Sequence, residues 1–290
     1  GAGFALGALV PMLTSEGKYA AALDKRSYLE DLFIGHMATA GEAIHSVDPS
    51  MGVGQGAGSF DNVIPEVLEH TDTYAPYLAD VNIEIGRSFP HKWVGQTLGV
   101  YGGKAVKVTA RIEQTWHVLF SGGNFIWFWS ACTGGLMGDL TTNPSRSGAM
   151  LETIRELKQG IASCLLRGQR QHDGIAILHS RVSGHMDGVV KEMSTQANSE
   201  GAFQRLVEDL GMQYRYISTK NIEEGVLSKG EFKMVLLPYT QIVTPKEVAA
   251  IEQFVKQGGT VMADLRAGTF STDGKALSTG VLDELFGITR

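Results

Sequence analysis

The sequence has little of what would mark a cross-linked, membrane-spanning or nucleic-acid-binding protein. Its 290 residues include only 2 cysteines, too few for a disulfide framework or a cysteine-rich zinc site. No run approaches the roughly 18 uncharged apolar residues of a membrane span. The net charge of −6 argues against electrostatic binding to nucleic acid. We therefore expect a globular protein with neither a membrane nor a nucleic-acid partner.

The residues that are present in quantity suit a folded α/β protein. Hydrophobic residues make up 43% of the chain, and the 36 glycines are its one excess. Such a composition supports a large core with many tight turns. The length suggests one large domain or two ordinary ones. Because Gly1 lies just before an apolar run that resembles a strand, 4–7, we expect the sequence to be a fragment of a longer protein.

The second half alternates regularly between strands and helices. Strands are predicted at 174–179, 214–217, 232–238 and 260–264. A helix is predicted from Asn198 to Leu210, and a second follows Thr244, an N-cap residue with proline at the first helical position. Strands that alternate with helices of this length predict a parallel sheet covered on both faces. Residues 172–290 are therefore predicted to form one flavodoxin-like domain.

The first half also alternates, but its loops are longer. Strands are predicted at 4–7, 51–54, 72–77, 92–96 and 124–129, and helices at 26–44, 63–70, 110–120 and 151–166. Loops rich in aromatic and polar residues after the strands are typical of the mouth of a (β/α)₈ barrel. A complete barrel takes about 250 residues. Residues 1–168 therefore predict a partial barrel of about five strands.

Two motifs suggest cofactor or acyl-transfer chemistry, and neither is convincing. Residues 52–57 match the G-x-G-x-x-A dinucleotide pattern, but the helix that should follow directly begins only near Pro65. The turn after 236–238, where a class I glutamine amidotransferase carries its nucleophile, holds Tyr239 and no cysteine. We expect no cofactor, although a nucleotide or flavin in the second domain stays a remote alternative. Four histidines of the first half show no metal-ligand spacing: His36, His45, His70 and His91.

Aromatic residues concentrate in the last part of the first half. Flat rings suit sugar binding by stacking, whereas core packing is the simpler interpretation for Trp116. Trp127 and Trp129 lie two residues apart on a predicted strand and so share one face. The candidate substrate-binding residues are Trp93, Tyr101, Trp127, Trp129 and Arg87.

Glycoside hydrolysis would need two carboxylates across the scissile bond. The residues considered for this role are Glu16, Asp72, Asp80, Glu84 and Glu113. Glu113 lies on a predicted helix and is expected to be solvated or paired. Arg87 follows Glu84 by three residues, so a helical ion pair is the alternative for Glu84. The catalytic candidates are Glu84 and Glu16.

Several phrases together resemble clan-A glycoside hydrolases, most closely the family-42 β-galactosidases. Residues 123–129 (GNFIWFW) are similar to their last barrel strand and 48–54 to the entry to their fifth. Residues 174–290, including 261–268 and 282–288, resemble their amidotransferase-like trimerisation domain. The resemblance implies barrel strands four to eight, hydrolysis of O-glycosidic bonds of a carbohydrate by two carboxylates, and a homo-oligomer formed through the C-terminal domain.

The sequence departs from the family at the two catalytic positions. The acid/base glutamate that the resemblance implies after strand four is replaced by Ala8 and Leu9. The nucleophile expected at the end of strand seven is replaced by Gln96. Three explanations stay open: a shifted alignment in which Glu16 or Glu84 does the chemistry, an inactivated variant, or a natural carbohydrate-binding relative. The function hypotheses are accordingly a β-galactosidase-like hydrolase and a catalytically inactive carbohydrate-binding or oligomer-assembly relative.

Overall fold

The computed structural model describes residues 17–56, 61–77, 80–99, 108–129, 151–187, 189 and 195–290. The chain divides into two compact units. Met37–Arg170 form one, here called the barrel unit; Gly1–His36 together with Gln171–Arg290 form the other, the flavodoxin-like unit. In the described part of the chain, none of the helices combines the length and the apolar character needed to cross a bilayer.

The barrel unit alternates strands and helices, and its first helix begins in the other unit. The elements are α1 (Tyr19–Val47), β1 (Gly54–Gly56), a 3₁₀ turn (Asp61–Val63), α2 (Ile64–Leu68), β2 (Thr73–Ala75), α3 (Asp80–Ser88), β3 (Trp93–Gly99), α4 (Val108–Phe120), β4 (Phe125–Trp129), a helical segment at 151–156, a π-helical turn (Leu157–Ile161) and α5 (Ala162–Arg167).

The four strands form one parallel sheet in the order β1-β2-β3-β4. Sequential parallel strands joined by helices are the arrangement of a (β/α) barrel wall. The expectation of a partial barrel is therefore confirmed at the level of fold class. Two local predictions need correction: β3 extends to Gly99 rather than ending at Gln96, and α3 is a helix that the periodicity analysis did not predict. The predicted strand at 4–7 lies outside the described residues.

The flavodoxin-like unit contains the second parallel sheet. Its elements after Gln171 are β5 (Ile175–His179), α6 (Arg181–Met186), α7 (Gln196–Asp209), β6 (Tyr214–Ser218), α8 (Thr219–Glu223), a 3₁₀ turn (Val226–Lys229), β7 (Met234–Leu237), α9 (Pro245–Lys256), β8 (Thr260–Ala263) and α10 (Asp283–Phe286). The strand order is β6-β5-β7-β8, which is the start of the flavodoxin-like order 2-1-3-4-5. The predicted parallel-sheet domain is confirmed.

Local sequence explains why these elements form where they do. Every residue of β5 is buried, as expected for a central strand covered by helices on both faces. Thr244 caps α9 by a reciprocal capping box with Glu247, and Pro245 occupies the first turn, so the predicted N-terminus of this helix is confirmed. After β7 the chain turns sharply through Tyr239, whose φ is +40°.

Candidate active site

The β1–β4 sheet has two faces, and only one of them is covered by helix α3. A barrel site is built from residues near the carboxyl ends of the strands. A Cβ added to Gly86 of α3 would lie 3.3 Å from both Tyr74 and Val94. The face carrying Tyr74 and Val94, the helix face, therefore packs against α3. Side chains alternate along a strand, so Thr97 lies on the opposite face. Trp127 is the register partner of Thr97 in the neighbouring strand and shares that face, here called the tryptophan face.

Gln96 does not occupy the position that the resemblance implied for a nucleophile. It lies in the middle of β3, 3% exposed, two residues from Val94 and therefore on the helix face. The strand ends at Gly99, and residues 100–107 lie outside the described part of the chain. The expectation that Gln96 ends this strand is wrong, because the alternation continues through Thr97 and Leu98.

Trp127 is the candidate substrate residue best placed for stacking. It lies in the middle of β4 on the tryptophan face, and 45% of its surface is exposed. An exposed indole on a sheet face that α3 does not cover can accept the flat face of a sugar ring. Trp129 is the last residue of β4 and the register partner of Gly99, at the carboxyl end of the strand.

Trp93 lies at the other end of its strand. It is the first residue of β3, its ring packs over Gly52, and the Lys92 Nζ lies 4.7 Å from the ring centroid. Barrel sites form at the carboxyl ends of strands, whereas the amino ends serve stability. The surroundings of Trp93 are those of a packing residue, and its role in substrate binding stays a prediction.

Glu84 is a buried, ion-paired carboxylate on helix α3. Its side chain contacts the Arg87 guanidinium, three residues along the helix, and the Arg170 Nη1, at 2.9 Å. Glu84 is 3% exposed. The ion pair weighed from the sequence is present, and a second arginine joins it. Both arginines stabilise the charged form of the carboxylate. The same ion pair holds the Arg87 guanidinium against Glu84.

Of the other candidate carboxylates, Asp72 and Glu113 lie away from the carboxyl ends of the strands, Asp80 is the first residue of α3, and Glu16 lies outside the described residues. Asp72 precedes β2, where its Oδ2 accepts bonds from the Val53 amide and from His45 Nε2, both at 2.9 Å. Burial favours the neutral acid, but these bonds outweigh it and lower the pKa of Asp72. Glu113 is exposed on α4. Glu16 and Tyr101 lie outside the described residues, as do Ala8 and Leu9.

Thr97 and Tyr77 lie near the carboxyl ends of β3 and β2, and the sequence analysis named neither as a candidate. They are joined by a bridge at the carboxyl ends of β2 and β3, and the Thr97 hydroxyl donates to the Ala75 carbonyl at 2.6 Å. The signal was the continued alternation after Gln96. Of the described residues at the strand ends, 54–56, 73–77, 93–99 and 125–129, none is an aspartate or a glutamate.

More than nine-tenths of the chain resembles solved structures of β-galactosidases. One from Bacillus circulans sp. alkalophilus superposes with a TM-score of 0.74 at 16% identity over 92% of this chain and 44% of its own. One from Rahnella sp. R3 gives 0.73 at 14% identity, covering 93% and 45%. The fold is that of the β-galactosidases. The GH42 enzyme Gan42B of G. stearothermophilus gives 0.69 at 14% identity, covering 92% and 45%, so the family-42 resemblance holds for the fold.

At 14–16% identity, what the chain shares with these enzymes is the fold. The chain spans a little under half of the length of the structures it matches. No family model matches the sequence, and no curated protein matches it either. One structure of the same fold, a GH42 exo-carrageenase from Bacteroides ovatus, aligns at 11% identity with a TM-score of 0.53. The fold therefore occurs in proteins with more than one carbohydrate substrate.

Proposed function

We propose that the protein is a glycoside-hydrolase-like protein that takes a carbohydrate, in the first place a β-galactoside, on the tryptophan face of the barrel unit. The observation that carries the proposal is Trp127, an exposed indole on that face in a fold shared with β-galactosidases over 92% of the chain. Stacking of a sugar on one indole contributes about 1 kcal/mol beyond the area it buries.

In its first form the proposal includes hydrolysis of an O-glycosidic bond. One carboxylic acid would protonate the leaving oxygen, and a second carboxylate would act from the other side of the ring through an oxocarbenium-like transition state. Carboxylates that follow a strand in the sequence and could supply such groups are Asp61 after β1 and Asp80 after β2. Glu16 and Asp139, outside the described residues, are further sequence candidates. Glu84 would have to leave two arginines to take part, so it is the weaker of the two original candidates.

A specific observation favours a second form, in which the carbohydrate is bound but not cleaved. The sequence contains no aspartate or glutamate from Trp93 to Ile112. This stretch holds all of β3 and the chain that follows it, so extending the strand from Gln96 to Gly99 does not restore the nucleophile that the resemblance implies. A neutral amide cannot replace a carboxylate as nucleophile.

Turnover and binding measured on the same preparation separate the two forms. The purified protein is assayed on a panel of aryl β-glycosides, with the β-galactoside first, and titrated calorimetrically with galactose-containing oligosaccharides. Turnover supports hydrolysis, whereas binding without turnover supports the second form. Trp127→Ala should weaken binding by about tenfold in either form, while Phe120→Ala, at an exposed aromatic residue on α4, serves as the control. Neither turnover nor binding with any sugar would contradict the proposal.

The predicted assembly and domain roles belong to the same proposal. We infer that residues 172–290 support a homo-oligomer and that residues 1–168 carry the carbohydrate site. Light scattering of the purified protein checks the first inference, because a monomer at micromolar concentration would exclude a stable oligomer.

A further inference from the structure

The carboxyl ends of β5, β7 and β8 are the place where a flavodoxin-like sheet normally receives a ligand. In doubly wound folds ligands bind outside the carboxyl ends of the strands, at the point where the strand order reverses. Here that point lies between β5 and β7. Helix α6 follows β5 directly, Ile242 follows β7, and Phe270 follows β8. These three parts of the chain form the surface that a ligand would meet.

This surface is covered by the first half of α1. Ala22 and Leu23 of α1 pack into one buried apolar cluster with residues from the segments that follow these three strands: Met186, Val189, Ile242 and Phe270. Leu23 also packs against Gly274, and a Cβ added at Gly274 would lie only 2.6 Å from the Leu23 Cδ1 atom. The contact surface is therefore fitted to a helix.

A buried charged group fixes the same helix about two turns beyond Leu23. Glu30 of α1 is 6% exposed, and its Oε2 lies 2.6 Å from His185 Nε2 and 2.7 Å from Arg181 Nε. Arg181 also donates to the Ser27 carbonyl at 3.1 Å and to Asp31 at 2.7 Å. Both basic residues belong to α6. A carboxylate held in this way is specific to one orientation of the helix.

The anchors have the spacing of helix-in-groove recognition. Leu23, Ser27 and Glu30 follow one another at intervals of four and three residues, which places them on one face of α1. Residues on the other side of the helix are exposed: Tyr28 is 55% and Leu32 52% exposed. Only one face of the segment is thus adapted to the flavodoxin-like unit.

We propose that the carboxyl-end surface of the flavodoxin-like unit is a helix-binding site, and that its occupant is residues 19–36 of the same chain in place of a small-molecule ligand. The apolar cluster supplies contact area and the α6 pair supplies orientation. The site accepts an amphipathic helix with an apolar anchor and, seven residues later, a carboxylate. It is closed to a flavin or nucleotide while the helix is bound.

Hydrogen–deuterium exchange of the full chain tests this assignment. Glu30→Gln removes the charge, and Leu23→Ala removes the apolar anchor without touching the charge. Each variant should raise exchange in peptides covering 19–36 and α6 by about tenfold or more, while peptides from β5 and β7 keep the exchange of the parent protein. Glu42→Gln and Leu32→Ala, at exposed positions on the same helix, are the matched controls and should change nothing.

Three results would overturn the proposal. Unchanged exchange at 19–36 in both variants would show that these contacts do not hold the helix. Exchange at 19–36 that rises when the parent protein is diluted a hundredfold would show that a second copy supplies the helix. Binding of FMN or ATP by the parent protein, without increased exchange at 19–36, would show that the ligand site is open beside it.

Discussion

Replacing Glu84 by glutamine separates a structural role from a catalytic one. Glutamine keeps the shape of the side chain but removes its charge. Because Glu84 is 3% exposed and contacts both Arg87 and Arg170, the change leaves two guanidinium groups facing a neutral amide. Removing one partner of a buried ion pair typically costs about 3–5 kcal/mol, since the remaining charge stays desolvated.

That cost predicts a large change in thermal stability. For a unit of this size, 3–5 kcal/mol corresponds to a fall in the unfolding midpoint of roughly 10–20 °C. Circular dichroism at 222 nm follows the transition, and activity or sugar binding is measured well below it. We expect Glu84→Gln to melt early and, while folded, to retain the function of the parent protein. Glu113→Gln, at an exposed glutamate on the neighbouring helix α4, should melt with the parent.

Two outcomes would refute this reasoning. A midpoint within about 2 °C of the parent would mean that the arginines are satisfied without Glu84. An unchanged midpoint together with turnover lowered by orders of magnitude would assign Glu84 to the chemistry and restore its catalytic candidacy.

Four further changes have expected outcomes of their own. Burial, with a smaller contribution from Glu200, raises the pKa of Asp187 to about 6. The folded state therefore favours the protonated carboxyl group, and the contribution of Asp187 to stability is present below pH 4 and lost as the pH rises through 6. Asp187→Asn should have a higher free energy of unfolding in urea than the parent at pH 7 and the same value near pH 3. The difference at pH 7 is at most about 3 kcal/mol, and solvent screening lowers it. Gln96→Glu, on the helix face, should lower the melting midpoint and confer no turnover of aryl β-galactosides. Gly95→Ala would drive a Cβ into the carbonyl oxygen of Phe125 and should cost about 1–3 kcal/mol in chemical denaturation. Thr244→Ala removes the α9 cap and should cost about 1 kcal/mol by the same measurement.

Much of the flavodoxin-like unit could be predicted because its signals are local. Apolar runs such as β5 are short, fully buried and bounded by turn residues. The N-terminus of α9 has its cap residue, proline and acid within four consecutive residues. Each signal acts within a few residues, so no knowledge of distant contacts is needed.

The elements that were missed depend on distant contacts or on unusual backbone. Helix α3 was not predicted, because its apolar residues Val81, Ile83 and Ile85 alternate as in a strand. Its Gly86 packs closely against Tyr74 and Val94, a contact between residues distant in the sequence. The helix predicted at 151–166 is interrupted by a π-helical turn at Gly160, whose φ is +138°. Helix α1 begins at Tyr19 rather than Arg26. The first half of α1 belongs to the same compact unit as residues more than 130 positions further along the chain. No local periodicity reveals such distant contacts.

A β-galactosidase fold and a β-galactosidase reaction depend on different residues of this chain. The fold depends on parallel strands with alternating faces, and these persist at 14–16% identity. The reaction depends on two carboxylates at strand ends, and the stretch from Trp93 to Ile112, which contains all of β3, has none. Stacking on Trp127 needs no ionisable group. The site residues therefore support carbohydrate binding more directly than bond cleavage, and a hydrolase would require both carboxylates to come from strand ends other than that of β3.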